Sequence, residues 1–249
     1  MPFKYLAINY LVRGFTLVER GACLLHHYRR FHALLPSNLL SRILQGNVTL
    51  HDIREDGQHF AISMGLSRPW DKEGEISLNL EVNGEIVFLL SFTIVPGWVV
   101  QSEAGEVLLI SRIQGTKGCY REIQLATKAM YDVAPSPLLL AALQGVANAF
   151  GIREFAGVSA ARQSGPDYEE HTASLEQAYD SFFSQLGIAP NAAGFYLSSI
   201  SVEDKPLASI KQGHKLRTRQ RRAFKRDIQM ACAAYFEEFV QVSSRELPA

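Results

Sequence analysis

A glycine-flanked turn, Gln114-Gly-Thr-Lys-Gly118, is the segment of this chain best suited to bind an anion. It follows an apolar run from Glu106 to Ile113 and precedes a helical pattern that begins near Tyr120. Backbone amides at a helix start bind phosphates, and the turn adds the hydroxyl of Thr116 and the ammonium of Lys117. Glycine also turns ordinary corners between strands and helices, so the segment predicts either a phosphate-binding turn or a plain corner.

Four side chains elsewhere could move protons. Glu73 and Glu75 flank Gly74 just before an alternating strand pattern, where a carboxylate could deprotonate an amine or a hydroxyl; a solvated turn is the alternative. His27 could be a general base or a hydrogen-bonded structural histidine. Tyr179 could donate a proton, position a substrate or pack within a helix.

The cysteines and histidines do not form a metal-binding pattern. Cys23, Cys119 and Cys232 are far apart and odd in number, and His27 and His32 miss the i, i+4 spacing of a helical metal site. We therefore predict no metal. The same cysteine usage favours a reducing cytoplasm. Cys119 follows the glycine turn and could be a nucleophile, but no base lies near it in sequence.

Charge is unevenly distributed along the chain. The stretch from Lys211 to Arg226 holds eight Lys or Arg residues and no acid, which leaves 17 basic and 25 acidic residues elsewhere. This cluster predicts a solvated basic face, a peripheral contact with the inner membrane surface or a contact with the phosphates of a cofactor. The contact residues in the second case would be Lys215, Arg217, Arg221 and Arg222. The acidic remainder and the lack of a binding motif argue against nucleic acid.

Composition and periodicity predict one soluble α/β domain. Apolar residues make up 47% of the chain and charged residues 20%, and no apolar run reaches the length of a membrane span. The first fifty residues look helical, with Ser37 as the N-cap of a second helix, and residues 47–113 read as an antiparallel meander with a hairpin turn at Asn83-Gly84. The N-terminus lacks the pattern of a signal peptide.

From Tyr120 onward the periodicity alternates between helix and strand. Helices are predicted over 120–130, 138–150, 175–186 and 216–240, and strands over 153–159 and 195–200. The apolar face of the last helix is predicted to contain Leu216, Phe224, Ile228, Tyr235 and Phe239. The chain would then consist of a helical segment (1–46), an α/β core (47–205) and a basic amphipathic helix packed on that core (206–249).

Several motifs, in the same order, resemble the bacterial VirK/YbjX family. They are His27-Tyr28-Arg29, Arg112-Ile-Gln-Gly115, the helix before Pro135, Ala178-Tyr-Asp-Ser-Phe-Phe183 and the basic cluster from Lys215 to Arg222. The resemblance runs from His26 to Glu238. It implies a link with virulence, surface-protein localisation and envelope or antimicrobial-peptide stress, but supplies no catalytic residues.

The order of elements also resembles the GNAT-type acyltransferase fold: a mixed, mainly antiparallel sheet flanked by helices. That resemblance implies that an acyl-CoA or acyl-carrier thioester binds Arg112, Ile113, Gln114, Gly115, Thr116, Lys117 and Gly118. The amide near Ile113 would hold the oxyanion. The chain departs from the family pattern in its glycine spacing, in an extra helix at 138–150, and in having Phe183 where a proton-donating Tyr often stands.

We therefore expect a cytoplasmic, acyltransferase-like enzyme that transfers an acyl group to an amine or hydroxyl of a small molecule or peptide. Glu73, Glu75 or a water would deprotonate the acceptor, and His27 and Tyr179 are the other candidates for proton transfer. The alternative is a non-catalytic accessory protein that binds a partner or the inner membrane surface.

Overall fold

The computed structural model describes residues 4–68, 71–163, 179–202 and 206–245. These residues contain seven strands: β1 (Val48–Glu55), β2 (Gln58–Leu66), β3 (Ile76–Val82), β4 (Glu85–Pro96), β5 (Glu106–Gly115), β6 (Glu154–Val158) and β7 (Phe195–Ser199). They also contain six α-helices: α1 (Leu17–Leu34), α2 (Ser37–Gln45), α3 (Tyr120–Ala129), α4 (Pro135–Phe150), α5 (Ser181–Gln185) and α6 (Lys215–Arg245).

The strands form one sheet whose spatial order follows the chain from β1 to β7. Every neighbouring pair is antiparallel except β5 and β6, which are parallel and connected through α3 and α4. The predicted mixed, mainly antiparallel sheet with flanking helices is confirmed. At the predicted hairpin, Asn83 and Gly84 both have positive φ, 52° and 85°, as a two-residue turn between twisted strands requires.

The parallel pairing of β5 is short. Its register with β6 covers only Leu108 to Ile110 in the described part of the chain, whereas its register with β4 continues to Gly115. A register shift between β4 and β5 leaves Ser111 as the extra residue of a bulge. The second half of β5 is therefore not paired with β6, and the sheet opens at this point.

Side chains on the two faces of the sheet enter two different cores, as strand alternation requires. Leu108 and Ile110 belong to the larger core, which also holds the apolar faces of α4 and α6. Val107 and Leu109 belong to a smaller cluster with residues of the N-terminal segment and α1. At Gly145 a Cβ would lie 2.3 Å from the Gln229 carbonyl oxygen, so α4 and α6 approach at backbone distance.

Several details differ from the sequence-based expectations. Leu216 is 69% exposed, and the buried face of α6 is formed by Phe224, Ile228, Cys232 and Phe236, because the helix enters the core only after its first two turns. Pro36 is the N-cap of α2, and Ser37 is its first helical residue. Residues 7–16 form turns, in which Gly14 and Leu11 adopt positive φ, and are not helical.

Of the helix predicted over 175–186, the described residues contain α5, which ends before Gly187. Residues 175–178 lie outside the described part of the chain. The strand predicted as buried on both faces, 86–95, has that environment from Leu90 to Val95, whereas Ile86, Phe88 and Leu89 are half-buried.

Candidate functional site

A buried polar stripe crosses one face of the sheet from β2 to β5. Register places Ser63 opposite Asn79, Ser77 opposite Ser91, and Ser91 opposite Arg112, so these side chains share a face. Ser77 donates to the Asn79 side-chain oxygen at 2.6 Å, and Asn79 donates to Ser63 Oγ at 3.3 Å. The leucines between them, such as Leu78, fill the larger core on the other face. Polar side chains are uncommon in the buried part of a sheet, and those present need hydrogen-bond partners. We therefore treat the stripe as a candidate site.

Arg112 ends the stripe among acidic side chains. Its Nη1 lies 3.0 Å from Asp71 Oδ2, and its Nε lies 3.4 Å from Glu73 Oε2. The amide oxygen of Gln114 accepts from Arg112 at 3.0 and 2.7 Å when the amide is oriented toward the guanidinium. Burial raises the pKa of Glu73, and so does Asp71, while Arg112 acts in the opposite direction. Glu73 is thus a carboxylate whose pKa is shifted toward neutrality.

Gly74 allows the segment that carries Glu73 to lie against the strands. Its φ is +121°, a conformation that favours glycine, and a Cβ there would lie 3.0 Å from Ser91 Cβ and 3.3 Å from Ser111 Oγ. Ser111 is the bulged residue of β5, and its buried hydroxyl has no hydrogen-bond partner among the described residues. The bulge therefore adds a polar group beside Arg112.

Tyr179, two residues before α5, reaches the same place. The Ile113 amide donates to Tyr179 Oη at 3.4 Å, on the half of β5 that β6 does not pair. The tyrosine is 1% exposed, and burial, then the nearby charge of Glu73, raises its pKa. Its hydroxyl therefore keeps its proton at neutral pH. The fold thus brings together Glu73, Arg112, Ile113, Gln114 and Tyr179, which are separated by up to 106 positions in sequence.

Glu75 faces a different set of partners. Tyr10 donates to its Oε1 at 2.9 Å, Tyr28 donates to its Oε2 at 2.5 Å, and the ammonium of Lys4 lies 3.7 Å away. The carboxylate is 2% exposed. Burial raises the pKa of Tyr10 and of Tyr28, and Glu75 raises both further, so both hydroxyls remain donors. Glu75 anchors the N-terminal segment and α1 to the sheet.

His27 lies inside the protein, 0% exposed, where α1 packs beside β4. Its Nδ1 accepts from the Ile94 amide at 3.1 Å, at a position on β4 that lies beyond the beginning of β3. Burial lowers the pKa of His27 to about 3, so the imidazole is neutral. The histidine thereby satisfies a strand amide.

The other N-terminal histidines do not group with His27. His26 lies 3.2 Å from Glu106, which also binds Arg30, and His32 is exposed. In the described ranges there is no group of three His, Cys, Asp or Glu side chains placed to hold a metal ion.

Some of the hydrogen-bond donors of the glycine turn are already bonded to carbonyls of the sheet. The Thr116 amide and hydroxyl donate at 2.8 Å to the carbonyls of Val87 and Ile86, respectively. A Cβ on Gly115 would lie 3.0 Å from Ile123 Cδ1, so this glycine lets α3 pack close to β5. Lys117 and Gly118 are exposed at the tip, where Gly118 has a φ of +89°.

The basic cluster of α6 borders a cavity of about 800 Å³ that the sequence analysis did not predict. Arg221, Arg222, Lys225 and Arg226 line it from α6, at i, i+4 spacing. Among the other residues predicted to contact a membrane, Arg217 pairs with Asp132 at 2.7 Å, and Lys215 is the first residue of the helix.

Sequence reasoning also missed Tyr10, Tyr28 and Asp71. Tyrosines and a lone aspartate carry no periodic signal, but the polar stripe had one, since Ser77, Asn79 and Glu81 alternate with apolar residues in β3. None of the helices in the described residues is long and apolar enough to cross a membrane.

A family profile matches the part of the chain that contains the polar stripe and the Arg112 cluster. The profile of the family described as "Protein of unknown function (DUF535)" matches residues 3–234. No curated protein and no solved structure matches the chain. Because the match covers nearly all of the sequence, the chain belongs to the DUF535 family.

Proposed function

We propose that this protein is an acyltransferase-like enzyme that moves an acyl group from an acyl-CoA or acyl-carrier thioester to an amine or hydroxyl acceptor. The reaction would take place where Tyr179 meets the Ile113 amide, between Glu73 and Arg112. This meeting of a protonated hydroxyl, a shifted carboxylate and a strand amide is the observation that carries the proposal.

Each group has a role in a balanced transfer step. Glu73 accepts the proton of the acceptor N–H or O–H, and the acceptor attacks the thioester carbonyl. The oxyanion that forms on the thioester carbonyl accepts a hydrogen bond from the Ile113 amide once Tyr179 turns away. The C–S bond then breaks, and Tyr179 protonates the leaving thiolate. The proton on Glu73 returns to the phenolate through water. Arg112 balances the charge of Glu73 and holds it in position.

Tyr179 would be the proton donor to the leaving thiolate, a role that Phe183 cannot fill because it has no hydroxyl. The two residues are four positions apart, about one helical turn. Phe183 is fully buried and stacks on Tyr196 at a centroid distance of 5.0 Å, which commits it to the core.

The sheet supports the proposal because a thioester arm needs an opening beside a strand whose amide can turn from a protein partner to the substrate. β5 loses its pairing with β6 after Ile110. The donor's phosphates would lie on the turn from Gln114 to Gly118, at its exposed tip of Lys117 and Gly118, because the amide and hydroxyl of Thr116 already donate to the sheet. Glu75 and His27 are omitted from the chemistry because each is engaged in a buried structural contact.

Calorimetry with acetyl-CoA tests donor binding, and release of free thiol with ethanolamine tests transfer, since ethanolamine offers both an amine and a hydroxyl. G115D should weaken donor binding, whereas G46D, with the same charge change at an open loop position, should not. E73Q and Y179F should bind acetyl-CoA and lose thiol release. If the wild type shows no heat of binding at high micromolar acetyl-CoA, the proposal is wrong.

A second candidate is a non-catalytic accessory protein, as the resemblance to VirK/YbjX implies, that contacts an anionic membrane surface through Lys215, Arg217, Arg221 and Arg222. The concentration of cations on α6 favours it. Co-sedimentation with anionic vesicles at low and high salt tests this function. Binding that is unchanged when Arg217, Arg221 and Arg222 are made neutral would exclude this surface.

A further inference from the structure

The cavity beside α6 combines a cationic wall with an apolar one. Arg221, Arg222, Lys225 and Arg226 supply the cationic wall, and Arg226 has no ion pair within the described ranges. Among the lining residues that the structure describes, Asp132 is the acidic one, and it is paired with Arg217 at 2.7 Å. The described lining of the cavity thus carries four cationic side chains and one carboxylate.

The opposite wall is formed by the beginning of α4 and by a few described residues that follow α5 and β7. Its apolar residues are Val133, Pro137, Leu140, Leu186, Val202 and Ile210. Apolar side chains offer no favourable contact to a small inorganic ion, whereas they can bury a hydrocarbon chain. A volume of about 800 Å³ is within the range of sites for small organic ligands.

The first turn of helix α4 offers few amide hydrogens to an anion. Pro135 and Pro137 occupy its first and third positions, so neither has an amide hydrogen to offer. The anion in this cavity would be held by side chains of α6, and guanidinium groups at i, i+4 spacing suit the oxygens of a phosphate.

We propose that this cavity binds one molecule of a phosphate ester that carries an apolar chain, with the phosphate on Arg221, Arg222, Lys225 and Arg226 and the chain against the wall formed by α4. Such a molecule is either a phospholipid or a soluble phosphate ester. The cavity binds it whether or not the polar stripe transfers acyl groups.

The test measures binding of dodecyl phosphate, at concentrations where it is monomeric, by calorimetry with the full chain. The wild type should bind it at one site, and inorganic phosphate and an uncharged dodecyl detergent should bind far more weakly. R221Q/R226Q should weaken binding of dodecyl phosphate by about tenfold or more. K211Q/R219Q removes the same charge from exposed positions that do not line the cavity, and should leave affinity within about twofold.

The A134W variant distinguishes binding inside the cavity from binding to a charged surface. Ala134 lines the cavity, is exposed and has an extended backbone, so an indole fits the chain there and fills the space without altering charge. It should weaken dodecyl phosphate binding as strongly as the arginine variant does; if it does not fold, I210W is its replacement at another lining position. Unchanged binding in the folded occluding variant would overturn the proposal, as would equal losses in K211Q/R219Q.

Vesicles identify the source of the phosphate. Phosphatidylcholine vesicles with and without phosphatidic acid are compared by co-sedimentation. Retention by phosphatidic acid that is lost in A134W indicates a lipid, and binding of the soluble probe alone indicates a soluble ester; both support the cavity site. Acetyl-CoA binding should respond to G115D and not to A134W, so failure of one proposal is distinguishable from failure of the other.

Discussion

The hydroxyl oxygen of Tyr179 lies 3.4 Å from the amide nitrogen of Ile113, at the point where β5 continues beyond its pairing with β6. A strand amide without a strand partner would otherwise be buried and unsatisfied. The tyrosine therefore has a structural task, and in the proposed mechanism the oxyanion of the substrate replaces it as the partner of this amide.

Y179F should separate this structural task from the proposed chemistry. Loss of the hydroxyl leaves the Ile113 amide unpaired and should reduce the free energy of unfolding by about 1–2 kcal/mol, because the ring still fills its site. Urea unfolding measures the change. Thiol release should fall to background while acetyl-CoA affinity is retained. Y120F, at an exposed tyrosine, should change neither quantity. Full thiol release by Y179F would remove Tyr179 from the mechanism.

Glu73 should make stability depend on pH. Because burial raises its pKa, the folded chain retains this proton at pH values where the unfolded chain, with a pKa of about 4.3, has released it. The stability that protonated Glu73 contributes is present below the pKa of the unfolded state and is lost as pH rises through the raised pKa of the folded state. Urea unfolding across this pH range should therefore show a smaller decline for E73Q than for the wild type. E85Q, at an exposed glutamate, should follow the wild type; equal declines in all three proteins would contradict the shift.

His27 should have the opposite pH dependence. The folded imidazole has a pKa lowered to about 3, whereas an unfolded histidine titrates near 6.5, so the unfolded chain binds more protons between these values. Stability from this group is present above about pH 6.5 and is lost as pH falls toward 3. H27N should be less stable at neutral pH by about 1–3 kcal/mol, since the buried ring that stacks on Phe31 at a centroid distance of 5.2 Å is lost, and should lack this acid-dependent loss.

The matched control for His27 is H32N, at an exposed position of the same helix. It should retain the acid-dependent loss of stability and the neutral-pH stability of the wild type. Thiol release by folded H27N should also persist, since His27 has no place in the proposed transfer step.

G145A should push α4 and α6 apart. The added Cβ would lie 2.3 Å from the Gln229 carbonyl oxygen and 2.8 Å from Cys232 Cβ, and neither a helix backbone nor a buried side chain can yield easily. We expect a loss of about 1–3 kcal/mol in the free energy of unfolding, measured by urea unfolding. G46A, where a Cβ would meet nothing within 4 Å, is the control. If G145A is as stable as G46A, the helices are not in backbone contact.

Regular elements were readable from the sequence because their signals are local. The alternation of β3, the Asn83-Gly84 turn and the spacing of Phe224 and Ile228 each depend on residues a few positions apart. Leu216 shows the limit: it has the correct helical phase but lies on a turn of α6 that extends beyond the core. Periodicity states which face a residue occupies, and not whether anything covers that face.

The sequence by itself determined the mixed sheet, the order of its elements, the basic character of the last helix and a set of polar residues able to move protons. Only the tertiary structure decided which of them meet. It placed Glu73 on Arg112 and, two positions later, Glu75 on Tyr10 and Tyr28. It also set the cations of α6 against an apolar wall. Those contacts join residues far apart in the chain, and their partners follow from sheet register and helix packing, which no local pattern encodes.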